Sequence, residues 1–286
     1  MSGLKDRRIG RGMKACAVSA GMVAAAVGNV MTADAAGAEV YFSELQHNIQ
    51  GAAAGHLGNV NYANWLVWNV ALKHPVAASA NEVCHSQYFS MAASLNADYN
   101  VYFSVVKTNV ATCGNASFGN VLIVNKDVSH TRDTTWAGYR PVGNPQNGWT
   151  HVFGDNYNNS EHKRVDCAVI DAGSKFTVCT LHTTAQSGNP DPTWVQLDEL
   201  KASGMGAPRI LMGDFNSVQW VVQRANTWRW DTLHTSSEKT HSSGKIDWVI
   251  GRGDANFVRF HDSEPLATGA NGWNSDHNLL HAHVGF

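Results

Sequence analysis

The chain has 286 residues, 43% of them hydrophobic, with ten tryptophans and a formal net charge of −2. That is enough apolar material for one sizeable core, and no linker, repeat or low-complexity tract marks a second domain in the interior. The charge excludes a generic electrostatic nucleic-acid binder, whose footprint is a basic patch or stripe, but not a nuclease that works with divalent cations.

The first forty residues differ in kind from the rest. Lys5, Arg7, Arg8, Arg11 and Lys14 precede an alanine-rich run from Ala15 to Met31 that is too interrupted to span a bilayer. Small residues then recur at Ala33–Ala35 and Ala36–Ala38, so the order is that of a secretory signal peptide over 1–38, cut after Ala35 or Ala38. The expected mature domain, 39–286, retains 16 basic and 21 acidic residues, a net charge of −5, and is expected to be secreted with no transmembrane segment. Cys16 is lost with the signal, leaving Cys84, Cys113, Cys167 and Cys179, an even number suited to an oxidising compartment.

Along the mature chain, Val40 to Asn48 reads as a strand. Tyr62, Trp65, Leu66 and Leu72 follow at helical intervals, and Pro75 stops that helix. A small-residue strand ends at Asn81–Cys84, and Tyr88, Met91, Ala92 and Leu95 mark a second helix. Strand-like runs cover Tyr99–Lys107, Phe118–Asn125, Val165–Ile170 and Phe176–His182. Pro141 to Glu161 is Gly/Asn-rich without a period and reads as an irregular loop of functional type. Asp191-Pro192 opens a third helix with Trp194, Leu197 and Leu200 as core candidates. Arg209–Gly213 is a buried-type strand that delivers Asp214. A hairpin centred on Gly173 sets Cys167 opposite Cys179, which leaves Cys84 for Cys113, although spacing alone does not establish connectivity. The same register sets Arg164 opposite His182 on the other face, a pair suited to clamping a phosphate.

Helices interleaved with strands early and a strand-rich second half imply two packed sheets flanked by helices. Neither G-x-G-x-x-G after the first strand nor G-x-x-x-x-G-K-[ST] anywhere supports a doubly wound nucleotide-binding fold.

The chemistry-bearing strings are HNIQG with Asn48, NEV with Glu82, FGNVLI with Gly119 and Asn120, TLHTT with His182, MGDFNS with Asp214 and Asn216, KIDWV with Asp247, and SDH with Asp276 and His277. Carboxylates and a histidine delivered from separate strands are what metal-assisted attack of water on a phosphate ester requires. These strings, in this order, resemble the endonuclease/exonuclease/phosphatase superfamily, which includes deoxyribonuclease I, abasic-site endonucleases and bacterial sphingomyelinases. The resemblance spans the mature chain. It implies a four-layer α/β sandwich of two mainly antiparallel sheets and a hydrolase that uses Mg²⁺, with Mn²⁺ as a substitute.

The resemblance also implies roles. Glu82 and Asp276 would hold the metal, and Asn48 would bond a ligand carboxylate or reach the metal through water. His277 would be the general base or a phosphate contact, with Asp247 fixing its tautomer. Asp214 would orient the attacking water or hold a second metal. Asn216 would donate to a non-bridging phosphate oxygen, His182 would donate to another or protonate the leaving group, and Asn120 would face the phosphate, with Arg164 beside them by the hairpin register. His47, His281 and His283 read as surface or satisfied histidines, and the H-x-H of the last two lacks the second pair a zinc site needs. Some members pair the counterpart of His182 with a glutamate on the strand that here runs from Tyr99 to Lys107. That strand has no acid, which favours His277 as the principal base. A phosphate-side tyrosine would be Tyr102 or Tyr139.

The expected function is an exported, monomeric phosphodiesterase acting on nucleic acid, with DNA endonuclease first. A sphingomyelinase-like phospholipid phosphodiesterase is the alternative, with Trp149, Phe153 and Trp273 at the rim. A non-catalytic binding or toxin subunit is disfavoured because every core catalytic position is filled.

Overall fold

Alternation along the strands decides which residues face inward, and in this chain two sheets share one apolar interface while each keeps a second apolar face for helices. The computed structural model describes residues 41–132, 140–141, 149–152, 161, 163–171, 175–185, 191–202, 209–217, 230–232, 239–252, 259–267 and 275–285. The expected signal peptide, Val40, Tyr139, Phe153, Gly173 and Trp273 lie outside these residues.

The chain runs through β1 (Tyr41–Asn48), α1 (Asn61–Lys73), β2 (Ala77–Cys84), α2 (His85–Leu95), β3 (Tyr99–Val110) and β4 (Ala116–Asn125). It continues with β5 (Ser129–Arg132), β6 (Arg140–Pro141), β7 (Trp149–Val152), β8 (Arg164–Asp171), β9 (Lys175–His182) and α3 (Pro192–Ala202). The last elements are β10 (Arg209–Asp214), β11 (Trp230–Thr232), β12 (Asp247–Arg252), β13 (Arg259–Leu266) and β14 (Leu279–Gly285). One sheet has the order β13-β14-β1-β2-β4-β3 and the other β11-β12-β10-β9-β8-β7-β6, with β5 also on β8. The pairs β1/β2 and β9/β10 are parallel and the other ladders antiparallel. The expected mainly antiparallel sandwich is the observed architecture.

Three apolar clusters give the layers. Leu122, Val124, Ile170, Phe176, Ile210, Met212, Val249 and Leu280 interlock between the sheets. Leu66, Val70, Met91 and Leu95 of α1 and α2 cover the outer face of the first sheet. Leu197 and Leu200 of α3 cover Leu181, Leu211 and Trp248 on the outer face of the second. Helix boundaries follow local chemistry. Asp191 Oδ1 accepts the Thr193 N–H at 2.8 Å, which caps α3. The Cys84 N–H donates to Gln87 Oε1 at 2.9 Å at the start of α2. His74 takes a left-handed conformation at the end of α1, directly before Pro75.

The hairpin register holds: Val165 pairs Leu181 and Cys167 pairs Cys179, and these two cysteines are joined, as are Cys84 and Cys113. Two expectations need correction. The stretch expected to be irregular contains β7 and starts on the last residue of β6. Leu72, expected at a helical apolar position, is 57% exposed. SDH lies just before its strand, β14, whereas Asp214 of MGDFNS ends β10. In an antiparallel sheet the start of one strand and the end of its neighbour reach the same edge, so the delivery is equivalent. No helix among the described residues is long and apolar enough to cross a membrane.

Candidate active site

Register brings the predicted residues to one edge of the sandwich. At the end of β10, Asp214 lies beside His182 of β9 and opposite Asp247 of β12. In the other sheet Asn48 of β1 lies beside Asn81 of β2. Asn81 joins the two sheets beneath the edge. Its Nδ2 donates to Leu181 O at 2.9 Å and to Asn120 Oδ1 at 3.1 Å, while its Oδ1 accepts the Asp214 N–H at 2.8 Å and Gln46 Nε2 at 2.7 Å. One buried amide thus sets the height of a carboxylate in the opposite sheet, and it satisfies groups whose burial would otherwise be costly.

Asn48 extends the link. Its Nδ2 donates to Asp214 Oδ2 at 2.9 Å and to Glu82 Oε1 at 3.2 Å, and its Oδ1 accepts the Gln50 N–H at 3.0 Å. Of the two roles expected for Asn48, the geometry presents the bond to a carboxylate. Glu82 sits in a β-bulge between Ala80 and Val83 with φ 58°, a conformation that re-aims the side chain out of the ladder. Gly51 makes room for it: the Gly51 N–H donates to Glu82 O at 2.8 Å, and a Cβ at Gly51 would lie 2.7 Å from that oxygen.

His277 Nδ1 lies 2.7 Å from Asp247 Oδ2. Its Nε2 lies 3.5 Å from Asp276 Oδ1 and 3.8 Å from Asp214 Oδ2. Burial alone would lower the imidazole pKa, but the charge and hydrogen bond of Asp247, then Asp214 and Asp276, carry it up to about 9. The Asp214 carboxyl is pushed up to about 7, first by burial and then by Asp247. Burial also raises Glu82, against the pull of Asn48 and Lys163.

His182 Nε2 faces the same centre, 3.7 Å from Asp214 Oδ2 and 4.0 Å from Glu82 Oε1. Its Nδ1 meets Lys163 Nζ at 3.4 Å, and Lys163 is paired with Glu161 at 3.0 Å. An ammonium can only donate, so the His182 proton sits on Nε2, aimed into the site. Burial, then Lys163 and His277, hold its pKa well below the ordinary value, so the ring is neutral. A cavity of about 340 Å³ opens beside Glu82, Lys163 and His182.

Lys163 and Asn81 were missed in the sequence, and the cation at His182 is Lys163, not the expected Arg164. Arg164 is 5% exposed on the inter-sheet face next to Asp166. Asn120 is 1% exposed and serves Asn81 in the layer below, not an open surface. Asn216 has φ 47°, and its Nδ2 donates to Thr183 O at 3.0 Å. Tyr102 packs against the inter-sheet cluster. His47 is buried rather than surface, its Nε2 3.3 Å from His277 O, and His281 is held between Ser43 at 2.9 Å and Glu264 at 3.1 Å.

The donor set fits a hard divalent cation. Oxygen donors dominate: Glu82, Asp214, Asp247 and Asp276 gather around the two histidines, and Glu82 and Asp276 are the partly exposed ones, at 27% and 45% of their side chains.

No protein-family model matches the sequence, and no curated protein matches it. Solved structures do. Zebrafish (D. rerio) TDP2 complexed with single-strand DNA product matches with a TM-score of 0.64 at 13% identity, over 85% of this chain and 98% of that one. The human Nocturnin catalytic domain with bound sulfate matches with a TM-score of 0.63 at 13% identity, over 86% and 96%. An endonuclease/exonuclease/phosphatase protein from Bacteroides vulgatus matches with a TM-score of 0.62 at 15% identity, over 86% and 98%. The chain has the fold these proteins share.

Proposed function

We propose that this chain, having the endonuclease/exonuclease/phosphatase fold, is a divalent-metal-dependent phosphodiesterase whose substrate is nucleic acid, DNA first. The observation that carries the reading is the set Asp247–His277–Asp214: a buried carboxylate 2.7 Å from Nδ1, with Nε2 3.8 Å from a second buried carboxylate. Two matching structures, one complexed with single-strand DNA product and one with bound sulfate, support a phosphate-containing substrate. Two disulfides support export to an oxidising compartment.

Glu82 and Asp276 are the groups that would hold the cation, which when bound neutralises charge on the phosphate. The chain's own residues do the rest. Asp214, poised near neutrality, takes the proton of the attacking water as oxygen bonds to phosphorus and the phosphodiester P–O bond breaks. His277, ringed by three carboxylates, contacts a phosphate oxygen as an imidazolium. This takes up the phosphate-contact role of the two foreseen for it and gives proton removal to Asp214. Asp247 keeps the His277 Nε2 proton aimed at the substrate. His182 offers its Nε2–H to a second oxygen as a neutral donor.

The test is one assay series with supercoiled plasmid, RNA, sphingomyelin and inositol phosphates, each with Mg²⁺ and with EDTA. Plasmid nicking that stops on chelation supports the proposal. Phosphocholine release without nicking would replace it with the phospholipid reading.

A further inference from the structure

His241 lies in the loop before β12, in none of the strings discussed above. Its backbone is fixed twice over: N–H and C=O exchange bonds with Gly244 at 3.0 Å each, and the neighbouring Thr240 C=O accepts the Asn278 N–H at 2.7 Å. Thr240 Oγ1 also accepts the N–H groups of Ile246 and Asp247, at 3.1 and 3.0 Å. The segment that carries His241 is therefore tied to both sides of the candidate site, at the Asp247 strand and at the residue after His277.

Its ring has one possible orientation of the proton. Nδ1 receives the Ser243 backbone N–H at 3.1 Å and lies 2.5 Å from Ser243 Oγ. A backbone N–H cannot reverse its role, so Nδ1 is an acceptor and a neutral His241 carries its proton on Nε2. That Nε2 lies 3.2 Å from Asp276 Oδ2. The other oxygen of Asp276, Oδ1, is then the one turned to the centre, 3.5 Å from His277 Nε2. Asp276 is 45% exposed on its side chain, and its backbone N–H makes a long 3.4 Å bond to Gln50 Oε1. A carboxylate so placed has several rotamers open to it, and fixing one lowers the entropy lost when it engages a ligand.

We propose that His241 is a positioning residue: by donating from Nε2 to Asp276 Oδ2 it holds that carboxylate in the conformation that binds the divalent cation, and so sets cation affinity. The inference rests on Asp276 being a cation ligand, as the proposed function has it. Outer partners of this kind change metal affinity by about 10- to 100-fold when removed.

The experiment measures Mn²⁺ binding directly, by calorimetry on the full chain without substrate, for the wild type, His241→Ala, His241→Gln and Glu82→Gln. Glutamine places an N–H donor where Nε2 stands; alanine does not. We expect Mn²⁺ affinity to fall about 10- to 100-fold in His241→Ala. It should return to near the wild-type value in His241→Gln and fall in Glu82→Gln. Unchanged affinity in His241→Ala beside a fall in Glu82→Gln overturns the inference alone. Unchanged affinity in both removes the cation reading of this site and the inference with it. Equal losses in His241→Ala and His241→Gln also overturn it, because the ring would then act by packing on His277, whose centroid is 4.7 Å away.

Discussion

Asp247 has no exposed surface, and its Oδ2 lies 2.7 Å from His277 Nδ1, so the two side chains form one unit. Substituting Asp247→Asn removes the carboxylate charge that keeps the ring an imidazolium, and an amide N–H facing Nδ1 leaves a neutral ring whose proton sits on Nε2. The positive charge that should meet the phosphate is lost although the ring stays in place. We predict a fall in kcat of about 10²–10³, the range for losing one preorganised group that meets developing charge, in Asp247→Asn and His277→Ala alike. The double variant should be scarcely worse than His277→Ala, and kinetics of all four proteins check it, multiplied losses meaning that the residues act separately. Most of the site was legible because each of these residues sits in a string with its own chemistry, such as GDFN or SDH. Lys163, Asn81 and His241 were not. Their roles come from contacts across 19, 133 and 35 residues of sequence, which no local pattern encodes.

At the scale of elements, β9 and β10 approach so closely that a Cβ on Gly213 would lie 2.0 Å from Leu181 O. Backbone cannot step aside as a side chain can. Gly213→Ala should cost about 3 kcal/mol, near the top of the usual range for overpacking. Because the residues after Gly213 and Leu181 are Asp214 and His182, activity should fall further than the folded fraction does. Denaturant melts beside kinetics separate the two effects. The Cys167–Cys179 pair bridges the β8/β9 hairpin on its outer face, among Leu197 and Leu211. Replacing both by alanine should cost about 3 kcal/mol, the loop-closure value for a short ring, while activity per folded molecule persists. That pairing was readable from register because a hairpin fixes both partners at once. β13 was harder to foresee: Arg259–Leu266 mixes charges and Pro265 into a strand at the sheet edge, where such residues are tolerated and apolar periodicity is weak.

For the whole molecule, buried titratable groups bound the pH range of stability from both sides. His47 is fully buried and its pKa is lowered to about 4 from 6.5, first by burial. Between those values the unfolded chain takes a proton that the folded one refuses, so stability falls as pH drops from 6.5 to 4. Its size is about 3 kcal/mol across that window, and His47→Gln should remove it from the acid limb of a stability–pH curve. Glu44, buried between the sheets, behaves oppositely. Burial raises its carboxyl well above the ordinary value, against the Ala77 backbone, so its contribution is complete below pH 4.5 and is lost as pH rises through the folded value. Glu44→Gln should therefore flatten the alkaline limb and leave the acid limb unchanged.

Phosphodiester hydrolysis at this edge of the sandwich is tested by the rate at which wild-type and His277→Ala protein, prepared identically, nick supercoiled plasmid at saturating Mg²⁺. His277→Ala should retain its fold and lose about 10²–10³ in rate. Equal nicking by the two proteins, or none by the wild type, would contradict the account.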